Sequence, residues 1–319
     1  MKHRGPCFAA IALLFFAAAP APAAGETIAT FTRNPSNPIL RGVRVGAEIA
    51  AKSKDAHVIH FIPRSEAAAE QIGLVDEVIG SRPDAVVLAP FDPSAMVPAV
   101  EKLNAAGIPV INVNERLLGG NVVAYVGTDD YQLALTTARY LLSAMGKAGN
   151  VVILEGPETL LTSVARVKGY KDAIKELPTV KLLASKSGNY ARATAAQVMK
   201  VLLRLHPQID GVLAANDPMA IGAVEALKAA NRKALVVGIN ASREVIEFVK
   251  SSDVIGSGDY NGFTQGCLAA EIAIRNLRKL PVPKEIILKS VVMTSSNYQD
   301  YEAPLERRSC PKIDTVISQ

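Results

Sequence analysis

The chain has 319 residues, of which 49% are hydrophobic and 20% charged. This composition excludes intrinsic disorder and leaves room for two domains of ordinary size. The formal net charge is +5, but removing Lys2 and Arg4, which belong to a distinct N-terminal segment, leaves 33 Lys+Arg against 30 Asp+Glu, a net +3. No basic cluster interleaved with aromatics occurs, so a nucleic-acid partner is not expected.

In chain order, Lys2 and Arg4 precede an apolar run, FAAIALLFFAAA (8–19), then PAPAA with Ala21 and Ala23 at A-x-A spacing. Residues 1–24 therefore read as a secretory signal peptide cleaved near Ala23 or Ala24, which directs the mature chain out of the cytoplasm. Twelve apolar residues are too few to cross a bilayer. Cys7 lies before the apolar run, which argues against a lipid anchor. Cys267 and Cys310 remain in the mature chain, and their spacing leaves a disulfide and two free thiols equally open.

From Glu26 onward, short β-branched runs alternate with amphipathic stretches. Strands are expected at 27–32 (TIATFT), 57–62 (HVIHFI), 85–89 (AVVLA), 110–113 (VINV) and 122–126 (VVAYV). Helices fall near 39–51, 65–79 and 94–106. Past Asp130 the pattern restarts. A helix to about Met145 leads to a strand at 151–154, a helix near 162–177, a strand at 182–184 and a helix at 191–205. Strands at 212–214, 235–239 and 254–257 follow, with a helix near 243–250 before the last. The end is less regular: a helix over 263–277, one strand over 285–293, and a tail after Ser295 without a strong period. Such alternation predicts an α/β fold of βαβ units with parallel sheets, and its repetition predicts two Rossmann-like lobes.

The segment DGVLAANDPMAIGAVEALKAA (210–230) shows the local design. A buried strand ends near Ala215, and Asp217-Pro218 reads as N-cap and first helical residue. Asn216 is then left at the carboxyl edge of the strand with its amide free, where open α/β sheets bind ligands. Other strand ends carry similar groups: Arg33 and Asn37, Phe91 with Asp92, Asn114 with Glu115 and Arg116, Asn240, and Asp259, Tyr260 and Asn261. Amides, carboxylates and guanidiniums converging on one crevice suit a polyhydroxylated ligand, because each hydroxyl donates once and accepts twice. Catalysis finds no support. The four His lack metal-ligand spacing, and there is no GxSxG elbow, phosphate loop or GxGxxG. No enzyme activity, metal or cofactor is expected.

These segments resemble the periplasmic sugar-binding proteins of the ribose-binding type, which serve ABC transporters. The likeness is carried by SNPILRGVRVGAE, DAVVLAPFDPSAMVPAVEKLNAAGIPVINVNE, YVGTDD, SVARVKGYKDAI, DGVLAANDPMAIGAVEAL and VVGINAS. The resemblance implies two lobes joined by three hinge strands, with boundaries at 26–128 plus 260–288 and at 129–259 plus 289–319. It implies a monomer that closes on its ligand and delivers it to a membrane permease. Ligand contacts are expected at Asn37, Asn114, Arg166, Tyr190, Asn216 and Asn240, with a last one at Asp259 or Tyr260. The sequence also departs from ribose binders. Asn114-Glu115 stands where they carry Asp-Arg, Ile39 and Leu40 replace paired Phe, and Asn240 replaces Asp. With no Trp, Phe91 and Tyr190 are the expected stacking platforms. The departures argue against ribose and leave another pentose, a hexose, a small polyol or a sugar acid. Arg166 is expected on the ligand, whereas Arg33 and Arg41 read as solvated. A sensor presenting a sugar to a chemoreceptor or sensor kinase is the alternative role.

Overall fold

The computed structural model describes residues 1, 25–33, 37–65 and 67–317. The expected signal peptide falls, after Met1, outside the described residues. The first half runs β1 (Thr27–Phe31), α1 (Pro38–Lys52), β2 (His57–Phe61), α2 (Ala68–Gly73), α3 (Val75–Gly80), β3 (Ala85–Leu88), α4 (Val97–Ala105), β4 (Val110–Val113) and β5 (Ala124–Thr128). The second runs α5 (Asp130–Ala144), β6 (Gly149–Glu155), α6 (Leu161–Lys175), β7 (Val180–Ser187), α7 (Arg192–Leu205), β8 (Gly211–Ala214), α8 (Asp217–Ala229), β9 (Leu235–Ile239), α9 (Arg243–Lys250) and β10 (Gly256–Asp259). Then come α10 (Gly262–Leu277), β11 (Glu285–Leu288), β12 (Val291–Thr294), α11 (Gln299–Glu302) and α12 (Ile313–Ile317).

Two six-stranded sheets result, ordered β2-β1-β3-β4-β5-β11 and β7-β6-β8-β9-β10-β12. All described pairings are parallel except β10 with β12. Strands β3, β4 and β8 are buried along their whole length, whereas the edge strands β2 and β7 expose part of theirs. Continuous apolar runs belong in the middle of a sheet covered on both faces. In each sheet the order reverses beside the first strand, between β1 and β3 and between β6 and β8. That reversal opens a crevice at the carboxyl ends. The chain crosses between the sheets after β5, after β10 and between β11 and β12.

Helices α1 and α10 cross at very short range, and glycine permits it. A Cβ at Gly46 would lie 2.1 Å from the Phe263 carbonyl oxygen, and one at Gly266 would lie 2.0 Å from that of Val43. This packing holds the start of α1 against the second crossing.

Three expectations change. The helix expected over 65–79 is two short helices that meet at Leu74, where Gly73 ends the first. The strand expected over 285–293 breaks at Lys289-Ser290, and its halves join different sheets because this is where the chain crosses. The tail, expected with the second lobe, turns back to the first. Tyr301 still bonds Asp259, but Glu306 pairs with Arg41, Ile313 is buried in the core of the first sheet, and Cys310 is disulfide-bonded to Cys267 of α10. The cysteine question left open by the sequence is thus answered as a disulfide, with Cα atoms 5.5 Å apart.

The bond closes a loop with a sequence separation of 43. Its reduction, or Cys310→Ser, is expected to lower the unfolding free energy by about 2–4 kcal/mol, chiefly through loop entropy in the unfolded chain. Denaturant melts with and without reductant test this. Coincident curves would mean that packing alone holds the tail.

Candidate functional site

The carboxyl edges of the two sheets face one another across a cavity of about 660 Å³. On the first wall, Asn37 is the N-cap of α1. Its Oδ1 accepts from the amides of Ile39 (2.9 Å) and Leu40 (3.4 Å), with Pro38 opening the helix. Arg33, directly after β1, is 6% exposed. It donates to Asn114 Oδ1 at 3.0 Å and lies over the Phe91 ring at 5.6 Å. Phe91 is positioned from behind by buried Gln71, which accepts from the Phe91 amide and donates to the Ala89 carbonyl. Asn114 ends β4 with φ 66°, a left-handed conformation that Asn tolerates. Its amide donates to Gln265 Oε1, and its carbonyl accepts from the Tyr125 hydroxyl at 2.8 Å.

On the second wall, Arg166 projects from the first turns of α6 and is 4% exposed. Its Nε donates to Asp130 Oδ1 at 2.7 Å, its Nη1 donates to the Ala215 carbonyl at 2.8 Å, and the guanidinium lies 4.7 Å from the Tyr260 ring and 5.8 Å from that of Tyr190. Asn189 and Tyr190 both have φ 55°, which turns the chain out of β7 and lays the Tyr190 ring over Gly156. A Cβ at Gly156 would meet that ring at 2.4 Å. The Tyr190 hydroxyl is 3.3 Å from that of Thr162. Asn240, with φ 138°, and Ala241, with φ 47°, form a tight turn out of β9 that Asp217 anchors. Asp217 Oδ2 accepts from the Ser242 amide, its Oδ1 accepts from the Ser257 hydroxyl, and Ser257 Oγ in turn accepts from the Ala241 amide.

Burial raises the Asp130 carboxyl to about 6 against the opposing charge of Arg166. Burial likewise raises Asp217 to about 6, opposed by its serine and backbone donors.

The cavity brings together eight of the expected residues: Asn37, Phe91, Asn114, Arg166, Tyr190, Asn216, Asn240 and Tyr260. It does not include the other two. Glu115 is 1% exposed and lies behind the first wall, 4.0 Å from Arg33. Asp259 faces the tail, accepting from the Tyr301 hydroxyl and the Asn261 amide. The expected cap at 217 is one residue late. Asn216 itself caps α8, with Oδ1 accepting from the Met219 amide and Nδ2 donating to the Tyr190 carbonyl, so its amide is engaged rather than free. A capping residue must sit in extended backbone beside the first turn, and Asn216 does while Asp217 is already helical. Arg33, read as solvated, is buried in the wall. Arg41 remains exposed. Sequence reasoning missed Thr162 and Asp130. Asp130 closes the segment YVGTDD, but an acidic residue in the first turn of a helix also reads as ordinary dipole complement, and only the guanidinium that needs it could have singled it out.

A two-lobed α/β molecule, crossed three times between its sheets and polar across the cleft, is a solute-binding architecture. Residues 28–280 match the periplasmic binding protein domain, and the chain belongs to that family. It is 33% identical over 255 residues to the D-apiose import binding protein of Paraburkholderia graminis, covering 79% of this chain and 81% of that one. It is 31% identical over 231 residues to the xylitol-binding protein of Mycolicibacterium smegmatis, covering 72% and 65%. A solved ABC transporter periplasmic solute-binding protein of Actinobacillus succinogenes, with bound D-allose, superposes with a TM-score of 0.82 at 33% identity, covering 86% of this chain and 100% of that one.

Asp217 yields a pH prediction. Its folded carboxyl, at about 6 against an ordinary 3.8, holds its proton more tightly than the unfolded chain does. Its contribution to stability is therefore greatest below about pH 4, declines as pH rises to about 6, and is constant above. Asp217→Asn should flatten the dependence of Tm on pH between 4 and 7 relative to wild type. Parallel Tm profiles for the two proteins would refute the assignment.

Proposed function

We propose that this protein captures a small sugar or sugar-like polyol by closing its two lobes on it, and delivers it to the membrane permease of an ABC transporter. The observation that carries this reading is the opposition of two walls of buried amides, guanidiniums and aromatic rings across one cavity. Amides and guanidiniums match hydroxyls in number and direction, and Phe91, Tyr190 and Tyr260 offer faces to the C–H side of a sugar. The cavity volume suits a small ligand enclosed on most sides.

In this reading the contacts are Arg33, Asn37, Phe91, Asn114, Arg166, Tyr190, Asn216, Asn240 and Tyr260. The lobes are 26–128 with 260–288 and 129–259 with the segment from 289, the tail returning to the first lobe. They rotate about the three crossings, and differential binding to the closed form drives closure. The protein acts as a monomer in the periplasm after export through residues 1–24. The names of its relatives, a D-apiose import binding protein and a xylitol-binding protein, support this reading.

A thermal-shift screen of ligand-stripped protein against pentoses, hexoses, polyols and sugar acids tests the substrate class. A ligand at a hundred times its Kd adds about 2.7 kcal/mol of stability. Arg166→Ala removes charge-assisted bonds and strands Asp130, and should weaken binding at least about 100-fold. Gly156→Ala displaces the Tyr190 ring and should weaken binding about tenfold with little change in the first lobe. Small-angle scattering should show compaction with the ligand found in the screen. An unchanged radius of gyration would defeat the closure mechanism.

A further inference from the structure

Besides the crossings of the main chain, the tail makes a further span between the two sheets, and it lies outside residues 28–280 that match the family. Its near end is fastened to the second lobe. Tyr298 and Tyr301 pack on that core, the Tyr301 hydroxyl donates to Asp259 Oδ2 at 3.1 Å, and Glu302 of α11 pairs with Lys250 of α9. Its far end is fastened to the first lobe. Leu305 packs beside Val45, Ala47 and Phe263, and Glu306 pairs with Arg41 of α1. Cys310 is bonded to Cys267 of α10, and Ile313 is 1% exposed in the first core. Between Glu302 and Leu305 stand only Ala303 and Pro304. Arg308 reaches back across this link, donating through Nε to the Ala303 carbonyl at 3.0 Å and through Nη2 to the Tyr301 carbonyl at 2.5 Å. The link runs beside the cleft: the small cavity it borders, about 150 Å³, shares Pro38, Ile39 and Asn240 with the main one.

Backbone geometry sets what this link can do. Ala303 (φ −59°, ψ 130°) and Pro304 (φ −51°, ψ 143°) are both in polyproline-type conformation. Such backbone already advances about 3.1 Å per residue, against at most about 3.6 Å for a fully extended chain. The proline ring also fixes its own φ. A rotation that parts α1 from α9 at the link by more than about 1 Å must therefore break an anchor at one end. The far end resists, because it is held by a covalent bond and a buried isoleucine. The near end would have to surrender Tyr301 from Asp259 and Glu302 from Lys250. Resting on the hinge closure proposed above, we propose that residues 298–313 are a strap that limits how far the empty lobes open. A narrower open range leaves more of the molecules close to the binding-competent form, and so raises affinity. The disulfide is then a tether for a moving part as well as a constraint on the unfolded chain, and the strap depends on an oxidising compartment.

The test compares wild type with a slack variant carrying Gly-Ser-Gly-Ser between Ala303 and Pro304, which lengthens the link and leaves its anchors in place. The same insertion between Pro311 and Lys312, past the disulfide, is the control. Thermal melts and thiol titration check folding and the Cys267–Cys310 bond in each. In small-angle scattering of ligand-stripped protein, the slack variant should have a larger radius of gyration than wild type, and the control should match wild type. In calorimetric titration with D-ribose, D-allose, D-apiose and xylitol, the tightest of these should bind the slack variant about tenfold more weakly than wild type. Cys310→Ser, which loosens the far end, should move both readouts in the same direction, and it carries the test if the slack variant does not fold. Equal dimensions or equal affinities for wild type and variant overturn the inference and leave the binding role standing. An expansion shared by the control overturns it too, since lengthening past the link should not matter. Expansion of the slack variant alone, with none of these compounds bound by wild type, supports the strap and tells against the binding role.

Discussion

Arg166 must stay charged where water is nearly excluded, and much of the cleft is arranged around that requirement. Burial works against its charge, and Tyr190, Asp130 and Tyr260 around it more than offset the loss. Each of the three comes from a different part of the chain: Tyr190 from the turn after β7, Asp130 from the first turn of α5, and Tyr260 from the second crossing. A guanidinium fork with one edge on a carboxylate, one nitrogen on the Ala215 carbonyl and its faces against tyrosine rings has little rotational freedom left. Binding a polar ligand then costs little side-chain entropy on the protein side.

The same economy governs the amides. Asn37 and Asn216 cap α1 and α8, so each Oδ1 is committed to the helix while the residue lies at the mouth of the crevice. Capping fixes the side chain, and a fixed side chain presents its remaining hydrogen-bonding capacity in a set direction. Asn114, Tyr190 and Asn240 are fixed differently, through left-handed or otherwise uncommon backbone at strand ends. Such conformations persist only where their surroundings over-determine them. Here Gln265 and Tyr125 hold Asn114, and Gly156 makes room for Tyr190. The turn at Asn240 is held from below by Asp217 through Ser242 and Ser257.

The sequence was most informative where chemistry and topology are both local. Alternating runs such as AVVL and VINV mark central strands because a buried parallel strand needs apolar residues on both faces. Residues just past those runs fall near the cleft because parallel strands all end at the same edge of their sheet. Boundaries were less legible: the break at Lys289-Ser290 interrupts no pattern, since both halves are β-branched and only the partner sheet differs. Arg33 could not be read as buried, because a loop arginine declares its environment only once Asn114 and Phe91 are beside it. The cap at Asn216 was displaced by one residue for a similar reason. Asn and Asp are equally good caps, and the choice was made by the Ser242 amide, after β9, and the Ser257 hydroxyl, in β10, which claim Asp217.

Tyr260 connects the site to the hinge. Its carbonyl accepts from Thr128 of the first crossing at 2.9 Å and from Gln265 at 2.7 Å, while its hydroxyl reaches Asp130 Oδ2 (3.4 Å) and the Asn114 carbonyl (3.5 Å). Gln265 also accepts from the Asn114 amide. Thus the backbone of two crossings, the end of β4 and the carboxylate that holds Arg166 form one continuous network around a single buried ring. A ligand that draws on Asn114 from one lobe and Arg166 from the other pulls on both ends of that network. In the closure mechanism proposed here, its binding free energy would be expressed as a preference for one angle between the lobes. A site built on one lobe could bind as tightly, but it would have no differential affinity between open and closed forms, and therefore nothing with which to move them.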